Sequence, residues 1–276
     1  MTRKSELDEI GPWSEIKLEI IREYASAYSR ILAAQKSPRL FHVYIDAFAG
    51  AGVHVSRTSG SFVRGSPLNA LLIEPPFRAY HLIDIETDKV ASLRKVTAGR
   101  QDVKIYEGDC NPILLNEVFP KIKYEDYRRG LCLLDPYGLH LHWKVIEAAG
   151  RMKSLEIFLN FPIADINRNA LLRDPDAAKP EHIRRMNAYW GDDSWRTIAY
   201  SKKRNLFGEY LEKESNEAIA EAFQKRLRKV AGFGWVPEPI PMKNSRGAVV
   251  YYLFFASQKP VAAQIVKDIF TKYRQF

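Results

Sequence analysis

The sequence predicts an α/β fold: a doubly wound, seven-stranded and mostly parallel sheet with an antiparallel closing hairpin, plus a helical insertion after strand five. Three observations carry this. Val43–Ala47 is an apolar run with β-branched and aromatic residues that passes directly into a glycine turn, Phe48–Gly52, as a strand buried on both faces enters a nucleotide site. Residues 42–161 then alternate as β-α-β-α-β-α-β-α-β, which implies parallel pairing through right-handed crossovers. Near the end, two strand-like runs flank the turn Asn244-Ser245-Arg246-Gly247.

Gly11-Pro12-Trp13-Ser14 reads as a helix start, with Ser14 as N-cap and Trp13 as a hydrophobic staple. Ile16, Ile20, Tyr24, Ala27 and Ile31 recur at helical spacing, so an amphipathic helix runs to about Lys36, and Pro38 ends it. The first strand spans about His42–Ala47. Residues 54–64, polar and rich in Ser and Gly, read as a loop over the site. Ser66 as N-cap and Pro67 as first helical residue then restart a short helix. The second strand is Tyr80–Ile85, with a helix to about Thr97. The third is Val103–Tyr106, with a short helix at Pro112–Phe119. The fourth is Leu131–Leu134, followed by a helix at Trp143–Arg151, and the fifth is Leu155–Phe161. Residues 165–231 read as a helical insertion or cap, its last helix marked by Ile219, Phe223, Leu227 and Val230. A hairpin of Pro237–Lys243 with Ala248–Ala256 and a final helix at Val261–Tyr273 close the chain. The expected organisation is an N-terminal helix and nucleotide-binding core over 1–164, the insertion over 165–231, and the closing hairpin and helix over 232–276.

The totals agree with such a chain. With 276 residues, 46% of them hydrophobic, a large core is available and global disorder is excluded. The two cysteines, Cys110 and Cys132, give no disulfide framework and no zinc cluster, so no metal is expected and a cytoplasmic setting is. Met1–Gly11 has no apolar signal-peptide core, and no apolar run approaches the ~20 residues of a membrane span, so no membrane association is expected. The net charge of +9 is uneven: residues 1–164 hold 22 basic and 20 acidic groups, residues 165–231 hold 14 and 11, and residues 232–276 hold 6 and 2. Lys202-Lys203-Arg204 and Lys225–Lys229 lie near Tyr189, Trp190, Trp195 and Tyr200, a mixture that suits nucleic acid; the alternative is a solvated helix face over a small core.

Open α/β sheets bind ligands at the carboxyl ends of their strands, and here every strand delivers polar groups to that edge: Asp46, Asp84 and Glu86, Asp109, Asp135, and Asn160. The glycine turn is not G-x-G-x-x-G, which argues against a dinucleotide, and it carries no Lys or Arg, which argues against a phosphate-bearing cofactor. The spacing D-x-F-x-G-x-G over Asp46–Gly52 is similar to the first motif of S-adenosylmethionine (SAM)-dependent methyltransferases of the Rossmann-like class. The alternative is a glycine turn with only a structural role. The likeness implies SAM as cofactor. Gly50 and Gly52, with Phe48 in the same turn, would make room for the methionine part, and Asp46 would suit the positive sulfonium. Asp84 would accept both ribose hydroxyls, with Glu86 the alternative. Asp109 would accept from the adenine amino group beside the Cys110 amide.

Asp135-Pro136-Tyr137-Gly138 resembles the Asp/Asn-Pro-Pro-aromatic motif of amino-group methyltransferases, in which the polar residue and a backbone carbonyl accept from the target amine and the aromatic stacks on the base. Tyr replaces the second Pro and Gly the aromatic, so stacking would fall to Tyr137, and the version here is nearer the Asp-Pro-Phe-Gly of tRNA guanine-N2 dimethyltransferases. Asp135, Pro136 and Tyr137 are the catalytic candidates. Asn160, Asp165, Asn167 and Arg168, coming off strand five, are candidates for substrate contact. His140 and His142 read as loop residues near the pocket, a metal or base role being the alternative. Cys110 is not read as a nucleophile, because the Pro-Cys placement of cytosine-C5 enzymes is absent.

Taken in order, Gly11-Pro12-Trp13, Tyr44–Gly52, Gly65-Ser66-Pro67-Leu68, Leu134–Gly138 and Phe161–Asn169 resemble the three-Cys-motif partner proteins over about residues 11–200. The resemblance implies the Rossmann-like SAM methyltransferase fold and a binary partner carrying a three-cysteine motif. The expected function is methyl transfer to a nitrogen of a nucleobase in DNA or RNA; the alternative is a non-catalytic nucleotide-binding subunit serving that partner.

Overall fold

The computed structural model describes residues 8–206 and 208–274; the segment ahead of Asp8, part of the polar N-terminus, lies outside them. Strand β1 (Glu9–Ile10) leads into helix α1 (Pro12–Ala34). Gly11, not Ser14, is the N-cap, because Pro12 opens the helix and the Ser14 N–H donates to the Gly11 carbonyl. After β2 (Phe41–Asp46), residues 54–64 are not a loop: β3 (Val53–Ser56) and β4 (Phe62–Arg64) form a hairpin, and β3 also pairs in parallel with β1. The alternation Val53-His54-Val55-Ser56 carried that signal, masked by the Ser/Gly-rich turn. Helix α2 (Ser66–Leu71) is capped by Gly65, and the Ser66 hydroxyl donates instead to Asp46 Oδ2 at 2.6 Å.

Then follow β5 (Ala79–Asp84), α3 (Thr87–Val96), β6 (Val103–Glu107) and α4 (Cys110–Ile113), which passes into a wide turn at Leu114–Val118. Next are β7 (Arg128–Leu134), α5 (Trp143–Met152), β8 (Leu155–Phe161) and α6 (Ile163–Asn169). The segment 165–231 is not all helical. Helices α7 (Pro180–Trp190) and α8 (Trp195–Ala199) precede a hairpin of β9 (Tyr200–Asn205) and β10 (Gly208–Lys213), and only then comes α9 (Asn216–Lys229). The strands β11 (Ile240–Lys243) and β12 (Val249–Ala256) and the helix α10 (Pro260–Tyr273) complete the chain.

Seven strands form one sheet in the order β11–β12–β8–β7–β2–β5–β6. β12 is antiparallel to both its neighbours, and the pairs β8–β7, β7–β2, β2–β5 and β5–β6 are parallel. The fold is therefore the Rossmann-like, mostly parallel sheet the sequence predicts. Strand order reverses between β2 and β7, and the crevice at such a reversal is where open α/β sheets bind ligands.

Two apolar layers hold the sheet. On one face α5, α7 and α9 contribute Val145, Ile146, Met186, Trp190, Phe223 and Leu227; on the other α1, α2 and α10 contribute Ile20, Tyr24, Ala70, Val266 and Phe270. One position sets how closely α5 packs: a Cβ on Gly150 would lie 2.0 Å from the Ala231 carbonyl oxygen. Gly to Ala in a helix normally stabilises by about 1 kcal/mol, whereas overpacking costs about 1–3 kcal/mol. Gly150→Ala is therefore expected to lower stability in urea denaturation, and a more stable variant contradicts this packing.

Candidate functional site

Two clefts lie over the carboxyl ends of the parallel strands and meet at Phe48, Asp84 and Tyr137. The first, of about 300 Å³, holds Gly50, Asp135, Pro136, Asn160, Asp165 and Arg168, with Trp13 and Lys17 of α1 and His54 of β3 around it. The second, of about 660 Å³, holds Ile85, Glu86, Asp109, Cys110, Leu139 and His140. Strand ends far apart in sequence thus converge as predicted for this edge, with three exceptions: Asn167, Asp46 and Gly52. Asn167 lines neither cleft; its Nδ2 donates to Asn216 Oδ1 at 2.8 Å. Asp46 also lines neither, being fully buried beneath the glycine turn.

The carboxylates at this edge are bound up with the backbone that shapes it. Asp46 accepts from the Phe48 N–H at 3.3 Å and the Ser66 hydroxyl at 2.6 Å, and burial pushes its carboxyl up to about 7. Asp84 Oδ2 accepts from the Gly50 N–H at 2.7 Å and Oδ1 from the Glu86 N–H at 2.9 Å, so one carboxylate fixes the turns after β2 and β5. Gly50 sits at φ +64°, a left-handed conformation that glycine adopts without strain, and a Cβ there would meet only His54 Cε1, at 3.8 Å. The surface above the turn is therefore open to a ligand. Gly52, at φ +85°, lies instead beneath the turn against Leu68 and Leu93.

In the second cleft Asp109 caps α4 by accepting from the Asn111 N–H and side-chain amide through Oδ1. Asn111 then joins two loops, donating to the His140 carbonyl at 2.9 Å and accepting from the His142 N–H at 2.7 Å. Cys110 lies among the core side chains, and burial drives its thiol up to about 12, so no thiolate is available as a nucleophile. His140 Nε2 faces Arg185 at 3.1 Å; burial first and that guanidinium second lower its pKa. Glu86 is exposed and accepts from Lys89 at 2.7 Å. Ile85, 70% exposed directly after β5, gives this cleft an apolar wall. Sequence reading missed Ile85 and Asn111, although an apolar residue following a strand-end acid was the available signal for Ile85.

The first cleft contains a cation that no local motif marks. Lys17, 8% exposed, forms an ion pair with Asp135 Oδ2 and lies over the Tyr251 ring, 5.3 Å from its centroid. Burial opposes the Lys17 charge, but Asp135 together with the Tyr251 and Tyr137 hydroxyls outweighs it, and the ammonium pKa is raised. Breaking such a pair strands an uncompensated charge, so the cleft holds its shape through it. Tyr137 is 69% exposed, its ring open to both clefts. Gly138, at φ +63°, lets the chain pass Asp165: a Cβ there would lie 2.7 Å from Asp165 Oδ2. Asp165 Oδ1 accepts from Asn169 at 2.9 Å, and Arg168 is exposed.

Among solved structures, a Legionella pneumophila protein of family-model DUF519 matches with a TM-score of 0.53 at 12% identity, over 93% of this chain and 92% of that one; the two share a fold. A Leishmania major SAM-dependent methyltransferase matches with a TM-score of 0.39 at 11% identity, over 88% of this chain and 82% of its own. The Bradyrhizobium japonicum N-methyltransferase NodS, in complex with S-adenosyl-L-homocysteine (SAH), matches with a TM-score of 0.38 at 10% identity, over 87% and 88%. No protein-family model and no curated protein matches the chain, so the resemblance to three-Cys-motif partner proteins rests on the quoted motifs alone. Among the described residues no helix is long and apolar enough to cross a membrane.

The Asp46 environment makes stability depend on pH. An unfolded Asp ionises near pH ~4, whereas folded Asp46 keeps its proton to about pH 7. The folded state therefore binds the extra proton in that window, and stability falls as pH rises through it. Asp46→Asn removes this loss. Urea denaturation across the range should show the variant gaining on the natural chain from pH ~4 to ~7 and no further above; parallel curves would sink the assignment.

Proposed function

We propose that this protein is a SAM-dependent methyltransferase acting on a nitrogen of a nucleobase in DNA or RNA. The observation that carries the reading is the pair of clefts joined at Phe48, Asp84 and Tyr137 over the reversal in strand order. One cleft has an apolar wall beside a strand-end acid, and the other has the Asp135-Pro136-Tyr137 turn. The residues fit the cofactor. Ile85 would pack on the adenine and Asp109, through Oδ2, would accept from its amino group. The exposed Glu86 is better placed for ribose hydroxyls than Asp84, both of whose oxygens already accept backbone N–H groups. The open face of Gly50 would receive the methionine end.

When bound, SAM supplies an electrophilic methyl group on a positive sulfur. The chain's part is to hold the target nitrogen in line with it, and such positioning supplies most of the rate. Tyr137 would stack on the base, and Asp135, paired with Lys17, would accept the target N–H. The target nitrogen would give its lone pair to that methyl, and Asp135 would take the surplus proton and pass it to water. The basic residues of β9 and α9 would contact the nucleic-acid backbone.

A second reading, a non-catalytic cofactor-binding subunit of a three-Cys-motif protein, is favoured by one observation: Lys17 already engages the catalytic carboxylate. Calorimetry with SAM and SAH, followed by labelled-methyl transfer to DNA, tRNA and the partner, decides between them. Asp135→Ala is expected to lose transfer at least about a hundredfold with SAH affinity retained. Unchanged turnover removes Asp135 from the mechanism, and no binding of either cofactor form removes the methyltransferase reading.

A further inference from the structure

The amino edge of the sheet, opposite the clefts, holds backbone strain. Among the described residues only two non-glycine positions take a left-handed conformation, Tyr127 at φ +55° and Lys153 at φ +59°. Such a conformation is unfavourable for a residue with a Cβ, and glycine adopts it freely. Tyr127 directly precedes β7 and Lys153 stands just ahead of β8, and these two strands are neighbours in the sheet. The Tyr127 N–H donates to the Tyr124 carbonyl at 3.1 Å, and its carbonyl accepts from the Phe41 N–H at 3.0 Å. That turn presents a ring 51% exposed. A sequence that keeps a tyrosine and a lysine where glycine would relieve strain has a use for both side chains.

Rings and cations continue along that edge. Arg129 lies over the Tyr124 ring, 3.6 Å from its centroid, and donates to the Tyr124 and Arg128 carbonyls at 3.1 and 2.7 Å. Lys259 reaches the same ring at 6.0 Å. Lys259 also caps α10, whose first residue, Pro260, lines a cavity of about 600 Å³ with Trp235, Arg228 and Lys267. Trp235, 48% exposed, is anchored through its N–H and carbonyl to Ser257, just past β12. Among the described residues no ring or cation covers Trp235 or Tyr127, and no acid forms an ion pair with Arg129, Lys153, Arg228, Lys259 or Lys267. Two exposed acids, Glu125 and Asp126, stand in the turn between the tyrosines, against those five cations. β12, β8, β7 and β2 are consecutive in the sheet, so the tract from Trp235 to Tyr127 spans three strand spacings, roughly 14 Å.

We propose that this edge binds single-stranded nucleic acid, with Tyr127 and Trp235 as stacking platforms and Arg129, Lys153 and Lys259 as phosphate contacts between them. Uncovered rings separated by unpaired cations match the alternation of bases and phosphates in a single strand. A duplex keeps its bases stacked on one another and offers these rings nothing. An acidic peptide would use the cations alone, and a membrane would need a continuous apolar face. At about 3.4 Å per nucleotide of a stacked strand, the tract takes about four nucleotides. It lies at the far end of the strands from the clefts, so the inference goes beyond their reading and does not depend on methyl transfer.

The test is fluorescence polarisation of a labelled oligothymidylate of about 15 nucleotides titrated with the full chain. A duplex of the same length, polyglutamate and phosphatidylserine vesicles serve as competitors, and calorimetry of SAH runs alongside. The single strand should bind at least about tenfold more tightly than the duplex. Tyr127→Gly should lose about tenfold in that affinity, while stability in urea holds or rises because glycine relieves the strain. Trp235→Ala should lose a similar factor, and Lys153→Gly should flatten the log–log salt dependence by about 0.7. SAH affinity should be unchanged in all three. No binding of the single strand, a duplex bound as tightly, polyglutamate or vesicles bound in preference, or affinity intact in both Tyr127→Gly and Trp235→Ala overturns the inference. A chain that binds the single strand through this edge yet binds neither SAM nor SAH keeps the inference and loses the methyltransferase reading; one that binds SAH and no single strand does the reverse.

Discussion

Three carboxylates crowd the carboxyl edge of the central strands, and the need to satisfy each of them shapes everything around it. Asp46 ends β2, Asp84 ends β5 and Asp135 follows β7, all largely withdrawn from water. A buried carboxylate without partners is costly, and each meets the cost differently. Asp46 keeps its proton and takes the Ser66 hydroxyl; Asp84 takes two backbone N–H groups; Asp135 takes Lys17. Those partners come from the glycine turn, from the start of α2 and α3, and from α1. Satisfying the acids therefore fixes the glycine turn and orients α1 over the cleft.

The central sheet was legible because buried parallel strands are written as continuous apolar runs, and five of them stood between helical stretches. The β3–β4 and β9–β10 hairpins were not: the short alternation of β3 was masked by the Ser/Gly-rich turn beside it, and β10, almost wholly exposed, has no buried face to imprint an apolar period. The acids at the strand ends were readable one by one, since position after a strand places a side chain at the edge. Whether such a side chain faces ligand or backbone was not. Asp46 turned beneath the turn and Asn167 turned to Asn216, because packing beyond the local segment decides that direction. Lys17 could not be found at all: it meets Asp135 across 118 residues of sequence, and nothing in the spacing of α1 marks it.

The division of the edge into two clefts is what connects fold to chemistry. A cleft with Ile85, Asp109 and Leu139 offers an apolar wall and an acceptor, the needs of a nucleoside; a cleft with Asp135, Asn160 and Tyr137 offers hydrogen-bonding groups and an aromatic face, the needs of a planar base. Phe48, Asp84 and Tyr137 belong to both, so a group bound in one is presented to a group bound in the other. Under the proposed function, methyl transfer between two such ligands would need little more than that presentation.

A crystal structure of the full chain grown with SAH tests this division most directly. The predicted result is an adenine ring against Ile85 with its amino group at Asp109, and the homocysteine end over Gly50 pointing toward Asp135. SAH bound away from the joined clefts, or no SAH in either at saturating concentration, would contradict it.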